Sequence, residues 1–402
     1  VAVTLGSWRE SLGEQSAIIT PNNVLVNQYL EACPSLPVLH KQDSYGGGYF
    51  FTRAREKARD SKTVLANYYT YAANRLHRQN LIVDEAHNLL HMLRERWAGR
   101  LWQRTWNFPD EMTSMEDFIE WAETQKKPKL DTIVKQVIQE QAMTLEYTEE
   151  FLRGQPSKVI KLIPLTIRDK KPWLWNKQVS KIVLMSATIS PWEIYELGLD
   201  ARRVLYINVD SPIPAANRPI IIDPVANMSW DTRSFAVDLM ATRLKSELDT
   251  SVGKGVIHAT YDTAARLRAR LGAHPRIIWH TRSDRQQRYN EFLNSPVDQA
   301  KVFVASGFNE GIDLKYDAAR WQIILEIPYL SLGDTAVRVK RDRQPEWYQW
   351  EAVKTIKQTI GRVSRAPDDY GETRIWDSRF SSFLERNRNM FSQDELNSVR
   401  YV

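Results

Sequence analysis

The chain has 402 residues, 43% of them hydrophobic and 26% charged, with a formal net charge of +6. That length suggests two to three domains, and the positive balance is compatible with a polyanionic partner. No apolar run approaches the roughly 18 residues of a membrane span, so no membrane partner is expected. A lone cysteine, Cys33, excludes an internal disulfide framework, a four-cysteine zinc site and a four-cysteine iron–sulfur cluster. The expected setting is cytoplasmic, or the host cytoplasm for a viral protein.

Residues 1–12 show mixed helical periodicity. Residues 17–20 (AIIT) predict a short strand ending at Thr20-Pro21, and residues 24–32 the next helix. SKTVLAN (61–67) and Leu81-Ile82-Val83 are further strands. Strands alternating with helices predict a parallel α/β sheet. From residue 91 to about 175 the chain becomes charged, helical in pattern and rich in tryptophan: Trp97, Trp102, Trp106, Trp121, Trp173 and Trp175. This stretch reads as a helical insertion. The strand pattern resumes at KIVLM (181–185).

Pro212, Pro214, Pro219 and Pro224 predict a linker over residues 212–224. A second α/β series follows, with strands at 255–258, 276–279, 301–305 and 322–327. The resulting division is 1–90 and 176–211 for the first lobe, 91–175 for the insertion and 225–402 for the second lobe.

Two adjacent carboxylates, Asp84 and Glu85, follow the apolar run LIV. Like charges side by side repel, and desolvation worsens the conflict, so a cation is the usual remedy. The arrangement fits a Mg²⁺ ion bound to ATP, with Asp84 holding the metal through water and Glu85 orienting an attacking water. It also fits acids placed at a helix N-terminus, and DEAH alone does not decide. Ser186-Ala187-Thr188 follows a second apolar strand. GFNEGIDL (307–314) follows a third and contains Gly311 and Asp313. QTIGRVSR (358–365) contains Gln358, Arg362 and Arg365. The two arginines are three apart and would share a face if helical. They suit either an arginine finger or a solvated basic face. Arg282, Arg285 and Arg288 read slightly better as a solvated face than as phosphate contacts.

Taken in order, these segments resemble the motifs of superfamily 2 helicases: DEAH as motif II, SAT as motif III, GFNEGIDL as motif V and QTIGRVSR as motif VI. ITPNNVLVNQYL (19–30) resembles motif Ia, and GVIHATY (255–261) motif IV. LANYYTYAA, LWNKQVSKIVLMSATIS, EIPYLSLGD and DDYGETRIWDSRF are similar to the XPD/DinG-like branch. The resemblance implies two RecA-like parallel-sheet lobes with an arch-like insertion in the first, and a monomeric ATP-dependent helicase moving 5′ to 3′ on single-stranded or forked DNA. ATP would lie between the lobes. His87, Ser186, Thr188, Gln358, Gly311 and Asp313 would serve the nucleotide. Thr20, Pro21, Asn22, Thr260 and Tyr261 would face the nucleic acid.

Two departures matter. Many members of the branch carry an iron–sulfur cluster, which a single cysteine cannot hold. No Gly-x-x-x-x-Gly-Lys-Ser/Thr occurs either; Gly253-Lys254-Gly255 precedes a strand instead of following one. The family's phosphate-loop strand is expected beside the motif II strand, so the natural protein is expected to begin upstream, and the chain as written to hydrolyse ATP poorly. The rival reading is a degenerate, non-hydrolysing nucleic-acid-binding protein. Against it stand the intact Asp84, Glu85, Arg362 and Arg365.

Overall fold

The computed structural model describes residues 1–39, 48–109, 114–140, 143–152, 155–168, 174–307 and 314–402. The chain forms two compact units. One comprises residues 1–205 with 334–339, the other residues 206–333 with 340–402.

The strands of the first unit are, in chain order, β1 (Ser16–Thr20), β2 (Val38–Leu39), β3 (Thr63–Asn67), β4 (Asn80–Val83), β5 (Gly99–Trp102), β6 (Met143–Leu152), β7 (Gln155–Pro164) and β8 (Lys181–Leu184). Five of them form a parallel sheet in the order β2-β3-β1-β4-β8. Every residue of β1, β3 and β4 is buried, which is why they read as unbroken apolar runs. Separate apolar clusters fill the two faces. Val64, Tyr68, Leu81 and Leu93 belong to one, and Ile18, Val26, Leu65 and Ile82 to the other. β4 is paired on both edges, by β1 and β8. The expectation of a missing strand beside β4 is therefore corrected: KIVL occupies that place after the insertion. β8 is the edge strand instead, and Val183 on it is 38% exposed.

The insertion departs from the helical expectation. Helices do occur at Met115–Thr124 and Pro128–Glu140, but β5, β7 and β6 form a three-stranded antiparallel sheet dominated by the long β6–β7 hairpin. The alternation in KVIKLI was concealed by the charged and tryptophan-rich residues around it. Trp121 packs with Phe108 and Phe118 in the insertion's own core.

The second unit holds β9 (Ile220–Ala226), β10 (Gly255–Ala259), β11 (Ile277–Ile278), β12 (Val302–Ser306), β13 (Trp321–Ile324), β14 (Glu372–Asp377) and β15 (Val399–Tyr401). They form one parallel seven-stranded sheet in the order β11-β12-β10-β13-β14-β9-β15. β9 begins inside the expected 212–224 linker and runs two residues past it. Its apolar run III outweighs the flanking prolines: Pro219 precedes the strand, and Pro224 sits where the pairing with β14 shifts register. That correction moves the start of the second lobe's sheet to Ile220.

Close packing in this sheet makes one position unusually sensitive. A Cβ at Gly255 would lie 2.2 Å from the indole of Trp321, which is itself buried. Gly255→Ala is expected to cost about 1–3 kcal/mol by overpacking. Urea unfolding should show a lower midpoint at unchanged slope; an unmoved midpoint would mean that Trp321 swings aside freely.

Candidate nucleotide and nucleic-acid sites

In the first unit the backbone beyond β4 is stitched to both neighbouring strands. The Asp84 N–H donates to the Ile19 carbonyl at 2.9 Å, the Met185 N–H to Val83 at 2.8 Å, and the Ala86 N–H to Met185 at 2.9 Å. Asp84 and Glu85 thus emerge at the carboxyl end of a buried parallel sheet, where α/β folds place their ligands. Glu85 has φ 49° and ψ 47°, a left-handed conformation that costs a non-glycine residue roughly 1 kcal/mol. The Tyr68 hydroxyl holds this turn by donating to the carbonyls of Asp84 (2.6 Å) and Glu85 (3.1 Å).

The Tyr29 hydroxyl donates to Asp84 Oδ2 at 2.9 Å. Burial, and then the Asp84 charge, push the Tyr29 phenol well above its ordinary pKa, so it stays a neutral donor. His87 Nδ1 lies 2.9 Å from Ser186 Oγ and 3.3 Å from Glu85 Oε2. Ser186 Oγ in turn accepts the Thr188 N–H at 3.0 Å. The structure therefore brings Asp84, Glu85, His87, Ser186 and Thr188 into one cluster. Thr188 is buried, while Ala187 is exposed.

The same cluster tests whether Mg²⁺ suits these residues. Among the described residues, no group of three or more His, Cys, Asp or Glu is placed to hold a metal. One carboxylate oxygen braced by a phenol suits a hard ion that keeps most of its waters.

Thr20, Pro21 and Asn22 follow β1. Thr20 is fully buried, and its hydroxyl donates to the Asn22 carbonyl at 3.0 Å. Its role is to shape the turn. Asn22 is exposed and caps the helix Asn23–Ala32, accepting from the Leu25 N–H at 3.0 Å. Asn22 is thus the accessible candidate of the three.

In the second unit, Thr260 caps the helix Tyr261–Leu271 and is itself exposed. Its N–H donates to Glu326 Oε1 at 2.9 Å. The Tyr261 ring packs over Gly307, with the Arg282 guanidinium 5.0 Å from its centre and His280 at its edge. Arg285 donates to the Gly307 carbonyl at 3.2 Å. Arg282 and Arg285 therefore belong to this cluster, which sequence spacing alone did not show. Gly311 and Asp313 lie outside the described residues.

Gln358 stands in the last turn of the helix Pro345–Ile360. Arg362 and Arg365 do not share a helix face, because the helix stops at Ile360 and Gly361 caps it. They occupy the loop that follows, with Arg365 exposed and Arg362 half-buried. Glycine at this position is a common helix stop, so the signal was present in the sequence. Tyr29 and Tyr68 were also missed as partners of the acidic pair, although both lie in segments that carried the family resemblance.

Residues 254–394 match the family model described as a helicase C-terminal domain. The chain is 32% identical over 112 residues to the regulator of telomere elongation helicase 1 homolog of Caenorhabditis elegans, covering 24% of this chain and 11% of that protein. It is 31% identical over 111 residues to the general transcription and DNA repair factor IIH helicase subunit XPD of Dictyostelium discoideum, covering 25% and 14%. The structure of S. tokodaii Xpd4 superposes with a TM-score of 0.65 over all of this chain and 93% of that one, at 15% identity, a likeness of fold. The second unit carries a helicase C-terminal domain, and the chain is similar to XPD-like helicases. The helicase C-terminal match takes in His258, Thr260, Tyr261, Gln358, Arg362 and Arg365. The matched stretches span only 11% and 14% of the two relatives.

His258 of this helicase-like second unit offers a measurable signature. Its Nε2 lies 2.9 Å from Gln322 Oε1. Burial, opposed by that hydrogen bond and helped by the nearby Arg362 charge, lowers its pKa to about 4. Between pH 6.5 and 4 the unfolded chain therefore takes up a proton that the folded chain refuses. Stability from this group is full above pH 6.5 and falls on acidification. Between pH 7 and pH 5 the loss should be about 1–2 kcal/mol. Urea unfolding at the two pH values should show a smaller difference for His258→Gln than for the native protein; equal differences would assign the acid sensitivity elsewhere.

Proposed function

We propose that this chain is the motor part of an ATP-dependent helicase or translocase acting on single-stranded DNA. The observation that carries the reading is the acidic pair at the tip of β4, braced by Tyr29 and Tyr68 and joined through His87 to Ser186. A carboxylate pair presented in this way, with a hydroxyl relay beside it, is the apparatus of nucleoside triphosphate hydrolysis.

In this reading Asp84 holds Mg²⁺ through water, and the metal when bound supplies charge neutralisation on the phosphates. Glu85 orients the attacking water. His87 and Ser186 pass changes at Glu85 to the segment after β8. Arg362 and Arg365 serve the triphosphate as charge-stabilising groups, and family resemblance assigns Gln358, Gly311 and Asp313 to the same nucleotide. Asn22, Thr260, Tyr261 and Arg282 serve a nucleic-acid strand through helix-terminal N–H groups, a ring face and a guanidinium. The direction of movement, 5′ to 3′, comes from family resemblance.

The test is Glu85→Gln in the full-length protein. The substitution keeps shape and removes the base. DNA-stimulated ATP hydrolysis should fall by about 100-fold or more, as loss of a general base typically does, while nucleotide affinity stays within a few-fold. Hydrolysis near the native rate would remove Glu85 from the chemistry. Binding to single-stranded DNA should survive in this variant and weaken steeply with salt, as counterion release requires.

A further inference from the structure

We propose that Gln322 and Asp369 are positioning residues that hold the arginine segment 361–369 from its two ends. The proposal rests on reading Arg362 and Arg365 as triphosphate-facing groups, but its first test does not.

Gln322 lies on β13, is fully buried and stands in register with Thr373 of β14. A glutamine there has to satisfy a carbonyl oxygen and two N–H donors away from water. Its oxygen takes the His258 Nε2–H from β10 on one side. Its amide donates to Thr373 Oγ1 at 2.7 Å and to the carbonyls of Thr359 (2.9 Å) and Ile360 (3.5 Å). Those two carbonyls belong to the last turn of the helix Pro345–Ile360, and the Thr359 carbonyl also accepts the Arg362 N–H at 3.0 Å. Gln322 thus fastens the helix end to three adjacent strands at the point from which Arg362 departs.

Asp369 closes the other end. It is fully buried and ion-paired to Arg320 at 3.1 Å. Its Oδ2 accepts the N–H groups of Arg365 and Tyr316, both at 3.1 Å, and its Oδ1 accepts the Tyr370 N–H at 2.9 Å. Tyr316 sits just beyond GFNEGIDL with φ 51°, a left-handed conformation for a non-glycine residue. One carboxylate therefore ties the arginine segment to the end of the glycine-rich segment. Between the two ends, Val363 presses against Gly371, where an added Cβ would lie 2.1 Å from the Val363 carbonyl oxygen. Arg365 also donates to the Gly361 carbonyl at 3.2 Å, within the loop itself.

The first measurement is amide hydrogen exchange across residues 361–370, with trypsin cleavage after Arg365 as a second probe. Gln322→Leu and Asp369→Asn should each speed exchange in this segment by about fivefold or more, as the loss of one hydrogen bond allows. Exchange in β10 and β12 should not change. Thr373→Val removes a partner of the same amide but leaves the bonds to the helix end, and should leave the segment protected. Unchanged exchange in both positioning variants, or acceleration spread evenly over the unit, would overturn the proposal.

The second measurement is a double-mutant cycle on ATP hydrolysis by the full-length protein. Gln322→Leu should lower kcat by about fivefold with KM unchanged, the size expected of one lost hydrogen bond. In an Arg362→Ala background the same change should cost less than about twofold, because the residues act as a unit. Additive losses would assign Gln322 a general structural role. If Arg362→Ala alone hydrolyses at the native rate, the assignment of the arginine to the triphosphate fails, and the exchange experiment still decides the positioning.

Discussion

Strand β4 has no freedom left. All four of its residues are buried, both edges are hydrogen-bonded, and the next backbone groups are tied to Ile19 and Met185. The residues after Val83 must therefore appear at one place and in one direction. Everything proposed for the first unit follows from this. Asp84 and Glu85 are held together despite their like charges because the backbone gives them no way apart. The hydroxyls of Tyr29 and Tyr68 answer the polar groups that the strand leaves at its tip. His87 reaches Ser186 because β8 runs parallel beside β4.

Much of this was legible in the sequence, for a physical reason. Strands of a parallel sheet are covered on both faces, so LIV, AIIT and KVFVA appear as apolar runs, and the polar residues that interrupt them mark the strand tips. Chemistry in an α/β fold gathers at those tips, so the acidic pair and the serine after β8 could be placed at strand ends from the apolar runs, while their expected roles came from the family resemblance. Other features obeyed competing signals. Prolines suggested a linker where β9 runs, because apolar burial decided the matter and Pro224 found a register shift to occupy. The arginines three apart suggested a helix face, although Gly361 had already ended the helix. Gln322 could not be found from sequence. A glutamine inside QIILEI has meaning only once its neighbours on β10 and β14 are known.

Two of the insertion's tryptophans serve burial. Trp121 belongs to the insertion's own core, and Trp175 packs against the core of the first sheet. Trp106 carries the ammonium groups of Lys127 and Lys129 near its ring and is half-buried. Large rings are the cheapest way for a small subdomain to bury area. Here that need accounts for Trp121 and Trp175 without any nucleic acid.

The two units meet the same problem with the same kind of group. In each, loops that carry charged side chains have to be fixed in place without adding a charge that would compete with a ligand. A lysine beside Asp84 would neutralise it and displace a metal ion; the phenol of Tyr29 braces the carboxylate and leaves its charge intact. A protonated histidine beside Arg362 would repel it. His258 is held neutral, with its pKa lowered to about 4, and passes its hydrogen bond to Gln322. Gln322 then reaches the helix end through a neutral amide. Asp369 is the exception, and it is instructive. Its charge is matched by Arg320, a partner outside the arginine segment, so the carboxylate can collect backbone N–H groups without drawing Arg362 or Arg365 inward. Neutral braces, and charges cancelled away from the loop, leave the arginines after the helix and the carboxylates after β4 with their electrostatic reach intact.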